Sequence, residues 1–332
     1  MGRVVSLGEI MLRLSTNAGT RLSQTGQFDA YYGGSEANVA ISLAHFGHES
    51  YFASKVPANA LGDGAKKHLQ SNGVDTSFLL RGGPRLGTCY TETGISERAT
   101  SVIYDRANSS FSLMTGNDWG ELFQNVDIFH ISGITPALSP QWKELAIGLI
   151  RKAKESGCRI SFDVNYRSKL WTQEECKQTL KKVLPLVDFC SAGKMDARYL
   201  LDIPEVKQDG DTILPYYQKM QERYPNITAF YSTKRTVKSA SANELIGTFW
   251  SQESYVESRS YQITPIVDRI GGGYAFVAGI LHGLLVKTNP QELIDFATAA
   301  SVLKHTVYGD CNAFSEAEVK DFVKTGSGKI NR

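Results

Sequence analysis

The chain has 332 residues, enough to bury a sizeable core as one large domain or two ordinary ones. Its 36 Lys and Arg and 34 Asp and Glu nearly cancel, so the net charge of +2 supplies no general attraction to nucleic acid or to an anionic membrane. No run approaches the ~18 apolar residues of a membrane span, and the amino terminus lacks the apolar stretch of a secretory signal, which predicts a cytoplasmic protein.

The opening run "RVVSLGEI" is brief and apolar and reads as a buried strand. Met11–Tyr32 is polar, rich in Thr, Ser, Gly and Tyr, and partly period-two, which predicts strands outside the main sheet. Next, "YYGGSEANVAISLAHFG" at Tyr31–Gly47 sets glycines before a helix whose Ala37, Ala40, Leu43 and Ala44 form a small apolar face. Thr88–Leu113 repeats the polar, period-two character, so the two segments could form a lid. Within it, a strand reading of "SVIYDRANSS" puts Val102, Tyr104 and Arg106 on one face. That face either meets a ligand or is the solvated side of a hairpin with an incidental arginine.

The runs "VDIFHIS", "RISFDVN", "LVDFC" and "NITAFYS" continue the series of buried strands. Between Gln141 and Gly157, Trp142, Leu145, Ala146, Leu149 and Ala153 recur with helical spacing, and Gly157 is placed to end the helix. This β-α alternation predicts an α/β fold with a mostly parallel sheet covered by helices on both faces, its ligands gathered beyond the carboxyl ends of the strands. The reading is one domain over 1–325 with lid segments at about 11–32 and 88–113, and a tail at 326–332. The five cysteines, Cys89, Cys158, Cys176, Cys190 and Cys311, show no C-x-x-C spacing, and the six histidines form no ligand cluster. A magnesium ion carried by a nucleotide needs fewer protein ligands than a dedicated site.

Late in the chain, Gly271, Gly272 and Gly273 precede a helical run at Ala275–Val286 in which Phe276, Ile280 and Leu284 share a face. Glycines let backbone approach a phosphate, and the free N–H groups and dipole of a helix start favour an anion. Three glycines can equally serve only to turn a loop. A further helix follows Pro290, with Leu293, Phe296, Ala297, Ala300 and Leu303 on its packing face.

Taken together, "YYGGSEANVAISLAHFG" and "VDRIGGGYAFVAGILHGLL" resemble the paired signatures of the ribokinase-like, phosphofructokinase-B-type carbohydrate kinases, and the order of motifs covers nearly the whole chain. The resemblance implies a ribokinase-like sheet with a small β lid, a sugar pocket lined by Gly33, Gly34 and Asn38, and an anion hole at Gly271–Gly273. Within the family, "LGTCYTET", "VIYDRANSS", "DVNYRSKLW", "SAGKMDARYLL" and "LKHTVYGDCN" are most similar to 2-keto-3-deoxygluconate kinases. This implies substrate contacts from Tyr90, Tyr104, Arg106 and Arg167. Two arginines suit a sugar acid, whose carboxylate a planar guanidinium holds with two charge-assisted hydrogen bonds; either could instead form a structural ion pair.

For ATP the likeness implies Asn165, Lys194, the turn Ser232–Arg235 with Lys234 and Arg235, Asp268, and the segment Gly309–Asn312 with Asp310 and Asn312. Mg2+ is expected with the nucleotide, its protein ligands unassigned. The expected partners are a small-molecule sugar acid and ATP, with no nucleic acid or membrane. A homodimer could form through the lid, to which "QFDAYYGG" would contribute unless it is a core-facing strand.

One residue departs from the pattern. The family places an aspartate after the glycines, the base that takes the proton from the reacting hydroxyl, and this chain has Tyr274 there. A free tyrosine has a pKa of about 10 against about 4 for aspartate, so near neutral pH it offers a proton and does not accept one. Asp163 and Asp268 are not expected to reach the hydroxyl in its place. The sequence therefore predicts a binding apparatus with a weakened proton-removal step; alternatives are a kinase for another sugar, such as fructose or ribose, and a non-catalytic sugar-acid or nucleotide sensor.

Overall fold

The computed structural model describes residues 1–116, 119–206, 212–251 and 254–326. Apart from Gly326, the tail expected at 326–332 lies outside the described residues.

The amino-terminal half alternates as the sequence predicts. Strand β1 (Arg3–Leu7) is followed by β2 (Met11–Ser15), β3 (Asp29–Gly33), helix α1 (Ser35–His45), β4 (Glu49–Val56), α2 (Ala60–Ser71) and β5 (Leu79–Arg81). Then come β6 (Gly87–Glu92), β7 (Ser101–Asp105), β8 (Ile128–Ser132), α3 (Pro140–Glu155), β9 (Arg159–Asp163), α4 (Gln173–Val183) and β10 (Phe189–Ser191). The remainder is α5 (Lys194–Tyr199), α6 (Leu214–Arg223), β11 (Ala229–Ser239), β12 (Ala242–Ser251), β13 (Ser254–Glu257), β14 (Tyr261–Ile263), α7 (Gly272–Val286), α8 (Pro290–Lys304) and α9 (Glu316–Thr325).

Helix α3 shows how local sequence sets these bounds. Ser139 accepts from the Trp142 N–H as the N-cap, Pro140 occupies the first turn, and Gly157 ends the turn beyond the helix at φ +86°. Trp142, Ala146, Leu149, Ile150 and Ala153 form the buried stripe, while the predicted Leu145 is only half-buried at its edge.

The large sheet runs β13-β12-β11-β10-β9-β8-β1-β4-β5, with β14 also paired to β12. From β11 to β5 every pairing is parallel; β12, β13 and β14 join in antiparallel fashion. Helices on both sides bury it in separate apolar clusters, one containing α3 and α4, the other α7 and α8. This is the α/β architecture expected, with one difference: "NITAFYS" enters β11 only at Ala229, and that strand runs on to Ser239 to form a long hairpin with β12.

The predicted lid is a separate four-stranded sheet, ordered β3-β2-β6-β7. The segment "QFDAYYGG" contributes its edge strand β3, where Asp29 and Ala30 are exposed and the two tyrosines half-buried, Tyr32 packing against an apolar cluster around α1. The order of the main sheet reverses direction at β1, whose neighbours are β8 and β4. Crevices form at such switch points, outside the strands' carboxyl ends.

Candidate active site

A cleft of about 470 Å³ opens at that place. Its floor is built by residues at or just past the strand ends: Glu9 after β1, Ile134 after β8, Asp163 at the end of β9, and Ser191 at the end of β10. The lid covers it through Met11, Arg13, Cys89, Thr91, Val102, Tyr104 and Arg106. Val102, Tyr104 and Arg106 thus share the side that faces the cleft, as alternation predicts.

Tyr90 does not join them. Its neighbours Cys89 and Thr91 face the cleft, so a side chain between them turns to the other face of the lid, where its ring meets Phe28 edge-on at 6.0 Å. The expected contact of Tyr90 with substrate is corrected accordingly.

Gly33, Gly34 and Asn38 line the cleft at the start of α1. A Cβ on Gly34 would sit 2.0 Å from the Glu9 carbonyl oxygen, so only glycine lets this helix start approach β1. Asn38 is almost fully buried; its Oδ1 accepts from Gly34 N–H at 3.4 Å, and its Nδ2 has no partner among the described residues. That donor is free for a hydroxyl.

On the opposite wall α7 begins at the glycine loop. Gly271 has φ +96°, a left-handed conformation, and a Cβ there would lie 1.9 Å from the Asp310 carbonyl oxygen. No side chain caps the helix, and Gly273 is open to the cleft, so the first-turn N–H groups face an anion site. Tyr274 lines the cleft at the next position and rests its half-buried ring on the α7–α8 apolar cluster. Burial raises the pKa of its phenol; the guanidinium of Arg167 and the amide of Asn165 face the hydroxyl and oppose the rise. The phenol stays protonated near neutral pH.

The two arginines differ. Arg106 donates from Nε and Nη2 to Glu9 Oε2 at 2.8 and 2.5 Å, so the ion-pair reading holds for it even though it lines the cleft. Arg167 also lines the cleft, donates to the Tyr166 carbonyl at 3.1 Å, and is in reach of the Tyr274 oxygen. Asn165 is held at φ +38° between Asp163 and Arg167 and lines the same wall, its amide facing the Tyr274 hydroxyl.

The remaining expected nucleotide residues separate. Lys194, Ser232, Lys234 and Arg235 line a second cavity with Asp196 and Glu257; Ser232, Asp196 and Arg235 also reach the first. Asp268 lies beneath the glycine loop, where it accepts from Arg13 Nη2 at 2.6 Å, Ile270 N–H at 3.0 Å and Gly309 N–H at 3.2 Å. Asp310 lines the cleft against Gly33 and sits 2.6 Å from Arg13 Nε; burial lifts its pKa to about 6, against the pull of Arg13. Lys304, fully buried at the end of α8, donates to the carbonyls of Asp268 at 3.2 Å and Val307 at 3.4 Å, tying the two loops together. Gly309 is a left-handed turn that presents Asp310, and the Asn312 side chain closes a turn on the Phe314 backbone; neither lines either of these two cavities.

Sequence reasoning passed over Asp196 and Arg269, although both lie inside quoted motifs, and Arg13, visible only as one polar position in "MLRLS". Asp163 and Asp196 both line the first cavity, and Asp196 lines the second as well. Burial raises both, Asp163 to about 7; Ser191 and Arg167 restrain Asp163, and Gly193 N–H and Arg167 restrain Asp196. Among the described residues no three His, Cys, Asp or Glu side chains cluster as metal ligands. Two carboxylates beside a phosphate site are nonetheless the donor set that fits magnesium, which takes one or two carboxylates and completes its shell with phosphate oxygens and water.

An α/β sheet with this switch-point cleft, a β lid over it and an uncapped glycine-loop helix defines a ribokinase-like fold. Residues 1–317 match the profile of the pfkB family carbohydrate kinases, and the chain belongs to that family. A PfkB family carbohydrate kinase from Listeria grayi is 48% identical, with a TM-score of 0.93 over 97% of this chain and 99% of that one. The 2-dehydro-3-deoxygluconokinase of Thermotoga maritima is 36% identical, with a TM-score of 0.94 over 98% and 100%. Among curated proteins, the 2-dehydro-3-deoxygalactonokinase of Haloferax volcanii is 29% identical over 99% of both chains. No helix among the described residues is long and apolar enough to cross a membrane.

Proposed function

We propose that this kinase transfers the γ-phosphoryl of ATP to the 6-hydroxyl of 2-keto-3-deoxygluconate, and that Tyr274 makes the transfer slow. The observation that carries the reading is the opposition of Arg167, on the β9 side of the cleft, to the uncapped start of α7. The guanidinium suits the carboxylate of a sugar acid; the N–H groups suit a migrating phosphoryl group. Asn38 offers its free donor to a sugar hydroxyl, and Tyr104 closes the pocket from the lid. The names of the Thermotoga and Haloferax relatives favour a 3-deoxy sugar acid over a neutral sugar.

Asp163 and Asp196 would hold magnesium, which when bound neutralises phosphate charge. The chain's own residues then position donor and acceptor, exclude water beneath the lid and stabilise the transferred charge. What the site lacks is a carboxylate at 274. General-base assistance contributes roughly 10²–10⁴-fold, so positioning and charge stabilisation sustain a residual rate. The expected setting is the cytoplasm, where ATP is available. The exposed Phe28 and Ile103 beside the lid edges favour a second copy of this chain as partner there; a sedimentation experiment giving only monomer at micromolar concentration would remove the dimer.

The test compares the chain with Tyr274→Asp using ATP and a panel of 2-keto-3-deoxygluconate, its galacto epimer, fructose and ribose. Turnover of the sugar acids should rise by roughly 10²–10⁴-fold in the variant. An unchanged rate would refute the account of Tyr274, and faster phosphorylation of a neutral sugar would refute the substrate. Tight binding of sugar acid with no turnover in either chain supports a sensor instead.

A further inference from the structure

Two guanidiniums line the cleft with the glycine loop, and no acidic side chain among the described residues pairs with them. Arg235 projects from β11 at the junction of the two cavities and lines both. Arg269 follows Asp268 in the loop that enters α7 and lines the larger one. Its Nη2 is anchored, donating to Asn243 Oδ1 at 2.8 Å and to the Ser239 carbonyl at 3.3 Å, while its Nε is buried with no partner among the described residues. Arg235 makes neither an ion pair nor a hydrogen bond among the described residues. Two other arginines of the cleft are matched by carboxylates: Arg13 by Asp268 and Asp310, Arg106 by Glu9.

The pair is close enough to be felt mutually and by the loop. Crowding by protein atoms and, after it, the charge of Arg269 lower the pKa of Arg235, although its side chain still opens to solvent. Both arginines also disfavour a charge on His305, whose ring fills the space where Gly272 would carry a Cβ. Two like charges against a helix start that itself favours anions cost free energy in the empty protein, and an anionic ligand removes that cost. Guanidiniums present forked donors suited to phosphate. Arg235 reaches into the cavity of Lys194 and Ser232, which neither Arg106 nor Arg167 lines, so the anion the pair suits belongs to the nucleotide and not to the sugar acid.

We propose that Arg235 and Arg269 together grip the terminal phosphate of the bound nucleotide at the Gly271–Gly273 loop, and so make the protein prefer a nucleoside triphosphate to a diphosphate. This deepens the kinase reading and rests on it. Binding, not turnover, is the readout, because Tyr274 limits turnover for a separate reason.

Calorimetry with adenylyl imidodiphosphate and with ADP, both with magnesium, tests the pair in the full chain, in Arg235→Gln and in Arg269→Gln. Each variant should lose roughly 10- to 100-fold in affinity for the triphosphate analogue while ADP affinity changes by less than about 3-fold. Arg235→Gln removes a like charge and no protein contact, so its melting temperature without nucleotide should hold or rise while its triphosphate affinity falls. A merely structural arginine would not give that combination. Should Arg269→Gln fail to fold for want of its bond to Asn243, Arg235→Gln decides alone. Equal weakening of both nucleotides, or no weakening of either, overturns the clamp. An unsubstituted chain that binds sugar acid but neither nucleotide overturns the kinase reading itself, and the clamp with it.

Discussion

Arg106 and Arg167 were equivalent as letters and are not equivalent as side chains. Glu9, almost fully buried, takes two donors from Arg106 and one from Ser109, so much of the work of Arg106 is to neutralise an internal carboxylate. Removing one partner of a buried pair costs up to about 3–5 kcal/mol, because the other charge is left without compensation. Arg106→Gln should therefore lower the denaturant midpoint markedly. Arg167 has no carboxylate within ion-pair distance among the described residues, and its backbone bond to Tyr166 is replaceable. Arg167→Gln should leave stability within about 1 kcal/mol and weaken sugar-acid binding by roughly 10- to 100-fold. Unfolding curves and calorimetry on the two variants check the contrast. Equal effects of the two substitutions on both quantities would contradict it. Residue type was legible in the sequence here, whereas pairing was not: Glu9 and Arg106 meet across 97 positions of chain.

At the scale of elements, strand and helix identity followed from period and from punctuation, as with Ser139 and Gly157 around α3. Facing was harder. The lid strand β6 carries polar residues on both sides, so nothing in "LGTCYTET" says which phase looks inward, and Tyr90, a substrate contact by resemblance, faces away from the cleft. The glycine loop shows the opposite case, since its motif named the anion site directly. Yet the reason for its first glycine lies 39 residues away in the Asp310 carbonyl, held there by the Lys304 and Arg13 network. Gly271→Ala would combine a left-handed conformation with a backbone clash. The expected cost exceeds the ~1 kcal/mol of conformational strain alone, and nucleotide binding should fall with it, because relief requires the loop or the start of α7 to move. Gly273→Ala, whose Cβ would meet nothing within 4 Å, is the control that should fold normally. Thermal melts and nucleotide titrations of both variants are decisive: normal melting and binding in Gly271→Ala would show that the left-handed turn is dispensable.

For the whole molecule, composition and alternation disclosed a parallel sheet and its ligand-bearing end, but not the polar links that lock the layers behind it. One such link lies away from the cleft. His282 of α7 stacks on Phe296, meets Phe46 edge-on and shares a hydrogen bond of 2.9 Å with His48, which accepts from the Gly2 N–H at 3.1 Å. The groups facing His282 are His48, Glu316, Lys320 and the amino terminus. Burial first, then the neighbouring His48, push the pKa of His282 down to about 4, while Glu316 opposes them. The unfolded chain, with a histidine pKa near 6.5, then binds the proton more readily than the folded one, so this group's stabilising effect is complete above about pH 6.5 and is lost as the pH falls from there toward 4. At pH 5 the loss from this one group amounts to about 1–2 kcal/mol. His282→Gln keeps a hydrogen-bonding group opposite His48 and removes the titration. Whatever it costs at pH 7.5, its stability should decline less than that of the parent chain between pH 7.5 and 5, narrowing the gap by that amount in urea unfolding at the two pH values. A gap that stays constant would mean that His282 takes up its proton inside the folded protein.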